Sequence, residues 1–81
     1  MHEWGIIKSV IDEIIKQSSE NGIKKIDKVS LSMGEDDHLT PESFEFCFDI
    51  LSKETPLAGI RLEIKKGDGA GVLINSIEGS K

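Results

Sequence analysis

The amino-terminal part of the chain places its apolar residues at the spacing of an α-helix. The apolar positions that share one face are Trp4, Ile7, Val10, Ile11, Ile14 and Ile15, and the opposite face carries Lys8, Asp12, Glu13, Lys16 and Gln17. This pattern predicts a helix from Trp4 to about Ser19. The pair Asn21-Gly22 favours the left-handed backbone conformation that ends helices, so we expect the helix to stop there.

Three later segments alternate apolar and polar residues with a period of two, which predicts half-buried β-strands. The first runs from Lys24 to Met33, the second from Gly59 to Lys65, and the third from Val72 to Ile77. In the first strand, Val29, Leu31 and Met33 point to one side, and we expect that side to be buried.

A second helix is predicted between the first two strands. Thr40 is a good N-cap and Pro41 suits the first helical position, while Thr55-Pro56 stops the helix after about Lys53. Its buried stripe is predicted to comprise Phe44, Cys47, Phe48 and Leu51, widened by Phe46 and Ile50. We interpret Cys47 as a core residue, with a reactive thiol as the alternative.

The order helix-strand-helix-strand-strand predicts an α+β fold in which two helices pack on one face of a three-stranded mixed β-sheet. The crossover through the second helix makes the first two strands a parallel pair. Residues 67–71 form a short Gly-rich connector, and a hairpin between the second and third strands is the simplest connection. Residues 1–81 are therefore interpreted as a single domain.

Composition narrows the classes of function. The net charge of −5 argues against nucleic acid as the main partner. The single cysteine excludes an internal disulfide and a four-cysteine zinc site. The chain contains no apolar run long enough to span a membrane, and Glu3 and Lys8 interrupt any signal-peptide pattern. We expect a soluble, cytoplasmic protein.

The first three residues, Met1-His2-Glu3, carry the densest set of metal donors in the chain. The terminal amine, the His2 amide nitrogen and the His2 imidazole can close fused chelate rings, and the Glu3 amide nitrogen supplies a fourth in-plane donor. Such a planar nitrogen set favours Ni(II) or Cu(II). The alternative interpretation is an ordinary frayed terminus.

Two other polar groups are weaker candidates. His38, which follows Asp36 and Asp37, is either an accessory metal ligand or a solvated loop side chain. The sequence has no nucleophile with a matched base and no Gly-rich phosphate-binding loop, so we do not expect an enzyme.

Several segments, taken in order, resemble one family. They are Met1-His2-Glu3-Trp4, Val29-Ser30-Leu31-Ser32-Met33-Gly34-Glu35, Thr40-Pro41-Glu42, Phe44-Glu45-Phe46, Phe48-Asp49-Ile50-Leu51-Ser52-Lys53-Glu54-Thr55 and the closing Gly71-Val72-Leu73-Ile74-Asn75-Ser76-Ile77-Glu78. Together they resemble the HypA family, the nickel metallochaperones of hydrogenase and urease maturation. The resemblance covers nearly the whole chain.

This resemblance implies that Met1, His2 and Glu3 bind Ni(II), and that the metal is delivered to a HypB-like nickel-maturation GTPase and a hydrogenase precursor. The family also carries a zinc module with two Cys-x-x-Cys pairs, inserted between the last two strands. Here the connector at 67–71 stands in its place, either engineered or by natural loss, so no zinc is expected. Which pathway is served, hydrogenase or urease, stays open.

A protein-interaction module that has lost its metal function is the alternative hypothesis. An unpaired edge of the sheet would invite a homodimer or a strand-swapped dimer.

Overall fold

Five elements make up the fold of the computed structural model, which describes residues 2–34, 40–67 and 71–81, leaving aside the side chains of His2 and Glu3. In chain order they are α1 (His2–Glu20), β1 (Lys25–Met33), α2 (Pro41–Ser52), β2 (Arg61–Lys66) and β3 (Val72–Ser80). The predicted order of elements and the α+β class are confirmed. The third strand is three residues longer than its apolar alternation indicates, and α1 starts two residues earlier than predicted.

The sheet has the strand order β2-β1-β3, with β2 parallel and β3 antiparallel to β1. The parallel pair is confirmed, but the predicted hairpin between β2 and β3 is wrong. Both strands pair with β1 instead, so the chain crosses from one side of β1 to the other between Gly67 and Gly71. Strands in a sheet are about 4.8 Å apart, so this crossing spans only about 10 Å. At its two ends Gly67 N–H donates to Met33 O at 2.9 Å, and Gly34 N–H donates to Gly71 O at 3.0 Å.

The central position of β1 has a physical reason. Val29 and Leu31 are completely buried and Met33 is nearly so, which requires a neighbour on each side of the strand as well as a covered face. A hairpin between β2 and β3 would have left this strand at an edge of the sheet. The core is formed by Ile7, Ile11, Ile14, Ile26, Val29, Leu31, Met33, Phe44, Cys47, Phe48 and Leu57, and both helices contribute to it.

Three predicted core positions are corrected by the structure. Trp4 is 42% exposed, because α1 first reaches the core one turn later, at Ile7. Phe46 is 66% exposed and Ile50 is 40% exposed, because both lie on the side of α2 that faces away from the sheet. The prediction that Cys47 is a buried core residue is confirmed.

The predicted helix ends are confirmed. At the end of α1, Gly22 has a φ of +72°, and Ile23 N–H donates to Ser18 O at 2.9 Å, as expected for a left-handed helix terminus. At the start of α2, Thr40 Oγ1 accepts from Ser43 N–H at 3.1 Å. Lys53 is the C-cap of α2.

Candidate metal centre

The backbone of the predicted metal site forms the first turn of α1. The helix begins at His2, so the amide groups of His2 and Glu3 belong to the turn whose N–H groups have no acceptor within the helix. Amide nitrogens in this position can bind a metal without breaking a helical hydrogen bond of their own. Met1 and the side chains of His2 and Glu3 lie outside the described residues, so the complete set of donors stays a prediction.

The core holds α1 from Ile7 onward. Ile7, Ile11 and Ile14 form the buried stripe of the helix. Ahead of them, Trp4, Gly5 and Ile6 are all exposed. The described residues between the predicted metal site and the core are therefore open to solvent.

Two opposing electrostatic effects act on a cation bound at the amino end of α1. The positive end of the helix dipole disfavours a cation there. Deprotonation of ligating amides offsets this effect, because the bound unit then carries less positive charge. A carboxylate at position 3 adds negative charge to the same turn.

The topology brings this turn close to two other segments that the sequence singles out. A groove between α1 and β3 is lined at one end by Ile6 and Val72, so the amino end of α1 lies beside the start of β3. Val72 pairs with Met33, the last residue of β1. The start of α1, the carboxyl end of β1 and the connector therefore meet at one end of the molecule.

The acidic segment that contains the second histidine comes directly after β1 in the chain. It follows Gly34, which is buried directly after β1 and hydrogen-bonded to Gly71. His38, Asp36 and Asp37 themselves lie outside the described residues, so their role as accessory ligands stays a prediction.

No rival metal centre is present in the part of the chain that the structure describes. Within residues 2–34, 40–67 and 71–81, no three His, Cys, Asp or Glu side chains come together closely enough to hold an ion. Cys47 is buried among apolar side chains of α2 and the sheet, which suits a packing role. Within the same ranges, neither helix is long and apolar enough to cross a membrane.

The outer face of α2, where Phe46 and Ile50 are exposed, is a surface that the sequence pattern does not predict. The signal available in the sequence is the group of acidic residues between these apolar positions. The outer edge of β3, in contrast, is an open edge of the sheet of the kind that the sequence leads us to expect.

The fold defines a small two-layer α+β domain, and it is shared with a protein of known function. The solution structure of the Ni metallochaperone HypA from Helicobacter pylori superposes with a TM-score of 0.82, covering 96% of this chain and 97% of that chain. The two sequences are 14% identical, so this likeness establishes the fold alone.

Sequence comparison establishes the family. The family model described as "HypA: Hydrogenase/urease nickel incorporation, metallochaperone, hypA" matches residues 1–72. The chain belongs to the HypA family. The family description is that of a metal carrier and not of an enzyme.

Individual relatives agree with this assignment. The hydrogenase maturation factor HypA of Lawsonia intracellularis is 35% identical over 66 residues, covering 82% of this chain and 56% of that protein. The factor of the same name from Crocosphaera subtropica is 35% identical over 71 residues, covering 88% of this chain and 60% of that protein. The chain therefore spans a little over half the length of these curated relatives.

Proposed function

We propose that this chain is a nickel-carrying domain that holds Ni(II) at its amino end for delivery during hydrogenase or urease maturation. The donors would be the Met1 amine and the amide nitrogen and imidazole of His2, with the amide nitrogen of Glu3 as a further candidate. The observation that carries the proposal is the start of α1 at His2, which leaves these amides without helical acceptors just ahead of the exposed Trp4, Gly5 and Ile6.

Ligation by the amide nitrogens of both His2 and Glu3 would require a local change in the helix. Closing a five-membered ring through consecutive backbone nitrogens needs a ψ angle closer to zero than the helical value of about −42°. Rotating ψ of His2 moves its carbonyl group, which in the helix accepts from the Ile6 N–H four residues later. Such binding would unwind the start of α1 ahead of Ile7, which the core holds.

The exposed residues beside the site suit transfer. A carrier must release its cargo to a receiver, and Trp4, Gly5 and Ile6 can be approached without opening the core. We propose that a HypB-like GTPase and a hydrogenase precursor receive the metal, as the family resemblance implies.

We also propose that the connector at 67–71 takes the place of the zinc module of the family, and that the chain functions without zinc. Two observations support this view. The family model stops matching at residue 72, directly after the connector. The hydrogen bonds of Gly67 to Met33 and of Gly34 to Gly71 tie both ends of the connector to β1.

Titration of Ni(II) into the protein, followed by absorbance in the d–d region, tests the metal site. The His2→Ala variant removes the imidazole, and acetylation of the amine removes the terminal donor. We expect each change to weaken binding by at least about 100-fold, because each removes a ligand and a ring of the chelate. Loss of a group that only supports a ligand already costs about 10- to 100-fold in metal affinity. Since amide ligands must lose their protons, binding should also tighten as the pH rises.

His38→Ala is the matched control, because it removes the other histidine and leaves the terminal chelate intact. A small loss in this variant would make His38 an accessory ligand. Equal, weak binding by the wild type and the His2→Ala variant would contradict the proposal.

A second function, self-association, is favoured by the outer edge of β3. Residues 72–77 carry no charge and no proline, the devices that usually protect an edge strand. Leu73 is 66% exposed on this strand, and the adjoining groove of about 500 Å³ is lined by Ile6, Val10 and Ile74 among others. We propose that two copies pair through β3, either as a homodimer or as a strand-swapped dimer. Sedimentation of the wild type and of Leu73→Lys tests this; a monomeric wild type at all concentrations would contradict it.

A further inference from the structure

The outer face of α2 combines two exposed apolar side chains with three acidic residues, and the exposed Lys53 follows only at the C-cap. Phe46 and Ile50 project away from the core, one turn apart, although both are large and apolar. Glu42, Glu45 and Asp49 lie on the same stripe, at helical spacings of three and four residues. Exposed apolar side chains grouped in this way are typical of a surface that contacts another macromolecule.

The acidic residues of this face stand apart from the ion pairs of the sheet. No ion pair in the described ranges involves Glu42, Glu45 or Asp49, whereas Glu63 on the sheet contacts Lys28 at 3.8 Å and Lys65 at 3.7 Å. The exposed face of α1 differs as well, because it mixes Lys8 and Lys16 with Asp12 and Glu13. The outer face of α2 therefore attracts a cationic partner.

A small hollow beside α2 gives this attraction a specific geometry. The hollow has a volume of about 150 Å³ and lies between α2 and the start of β2. Apolar side chains line it, namely those of Phe48, Leu57, Ile60 and Leu62, together with the exposed carboxylates of Glu45 and Asp49. A lysine or arginine fits this combination, because its aliphatic stem packs on apolar walls while its charged head stays beside carboxylates.

We propose that the outer face of α2 is a docking surface for a basic amphipathic helix of a partner protein. Phe46 and Ile50 are four residues apart and form a ridge along the helix, which is the kind of ridge that packs against a second helix. In this arrangement apolar side chains of the partner cover Phe46 and Ile50, and one of its cationic side chains enters the hollow. The proposal does not depend on nickel, since none of its residues lies in the metal site.

The test uses a synthetic 18-residue amphipathic helix of lysine, leucine and alanine as the probe, added to isotope-labelled protein without metal. We expect NMR chemical-shift changes confined to α2 and to the residues that line the hollow. The double variant Glu45→Lys/Asp49→Lys should raise the Kd at least about tenfold, as expected when attraction becomes repulsion. Phe46→Ala should raise it by a similar factor through loss of apolar contact.

The matched control is Asp12→Lys/Glu20→Lys, which changes the net charge by the same amount on the exposed face of α1. Its Kd should stay within about twofold of the wild type if the site is local. An equal loss of affinity in both double variants would overturn the proposal, because binding would then follow net charge alone. Equal affinity for a peptide of glutamate, leucine and alanine would also overturn it, as would chemical-shift changes centred outside α2 and the hollow. Shifts of α2 that depend on protein concentration in the absence of peptide would show that a second copy of the chain occupies this face.

Discussion

The two helices begin in opposite ways. In α2, Thr40 and Ser43 form a reciprocal capping box, with hydrogen bonds of 3.1 and 3.0 Å, and Pro41 has no N–H to satisfy. In α1 the residue before the helix is Met1, whose thioether is a poor hydrogen-bond acceptor compared with a capping oxygen. A cap stabilises a helix by occupying its free N–H groups. A methionine offers the first turn of α1 no such oxygen, which suits a turn whose N–H groups serve a ligand.

The same contrast appears in how the two helices are anchored. Phe44, in the first turn of α2, is fully buried, so that helix is fixed to the core from its beginning. In α1 the described residues Trp4 to Ile6 are exposed, and Ile7, more than a turn from the start, is buried. The inner face of α2 therefore packs on the core from the first turn of that helix. In α1 only the part from Ile7 onward packs on the core, and the residues before it are available for binding.

The largest expected effect is on the free energy of unfolding, and it distinguishes two phenylalanines that lie on opposite faces of α2. Phe44→Ala should lower the free energy of unfolding by about 3–5 kcal/mol, because it leaves a cavity in the core. Phe46→Ala should lower it by less than about 1 kcal/mol, because that ring is already largely in water. Urea denaturation followed by circular dichroism measures both. Equal losses would mean that the two faces of α2 are assigned incorrectly.

A smaller effect is expected from the cap itself. Thr40→Ala should cost about 1 kcal/mol, because the Ser43 N–H loses its acceptor, whereas Thr40→Ser should be nearly neutral because it keeps the oxygen. The same denaturation experiment measures both variants. If alanine were tolerated as well as serine, the capping box would not be what distinguishes α2 from α1.

Local signals in the sequence were sufficient to predict the elements of the fold. Thr40-Pro41 marks the start of α2 and Asn21-Gly22 the end of α1, and both depend on residues adjacent in the chain. The alternation of Val29, Leu31 and Met33 identified a strand with one buried face in the same way. These predictions are confirmed because short-range backbone chemistry decides them.

Pairing of the strands depended on information that the local pattern does not contain. A connector of five residues is long enough either for a hairpin or for a short crossing over one strand. The sequence pattern alone therefore favours pairing of β3 with β2, whereas β3 pairs with β1. The exposure of Phe46 and Ile50 was missed for a similar reason. An apolar residue indicates burial only on average, and the width of the buried stripe is set by what packs against the helix.

The metal site was predicted from chelate chemistry and family resemblance. The structure adds that the backbone of His2 and Glu3 belongs to the first turn of α1, at the end of the helix that lies beside the start of β3. The ligating side chains lie outside the described residues. The nickel site therefore stays a proposal that needs a direct measurement.

That measurement is an NMR titration with Ni(II) that observes the His2 imidazole, the Trp4 indole and the Ile6 amide together. Planar four-nitrogen Ni(II) is diamagnetic, so shifted signals stay observable. The account predicts that the His2 ring signals move at one equivalent of metal, and that the Ile6 amide exchanges faster with solvent while the signals of α2 stay unchanged. Unmoved His2 signals, or changes centred on another part of the chain, would contradict it.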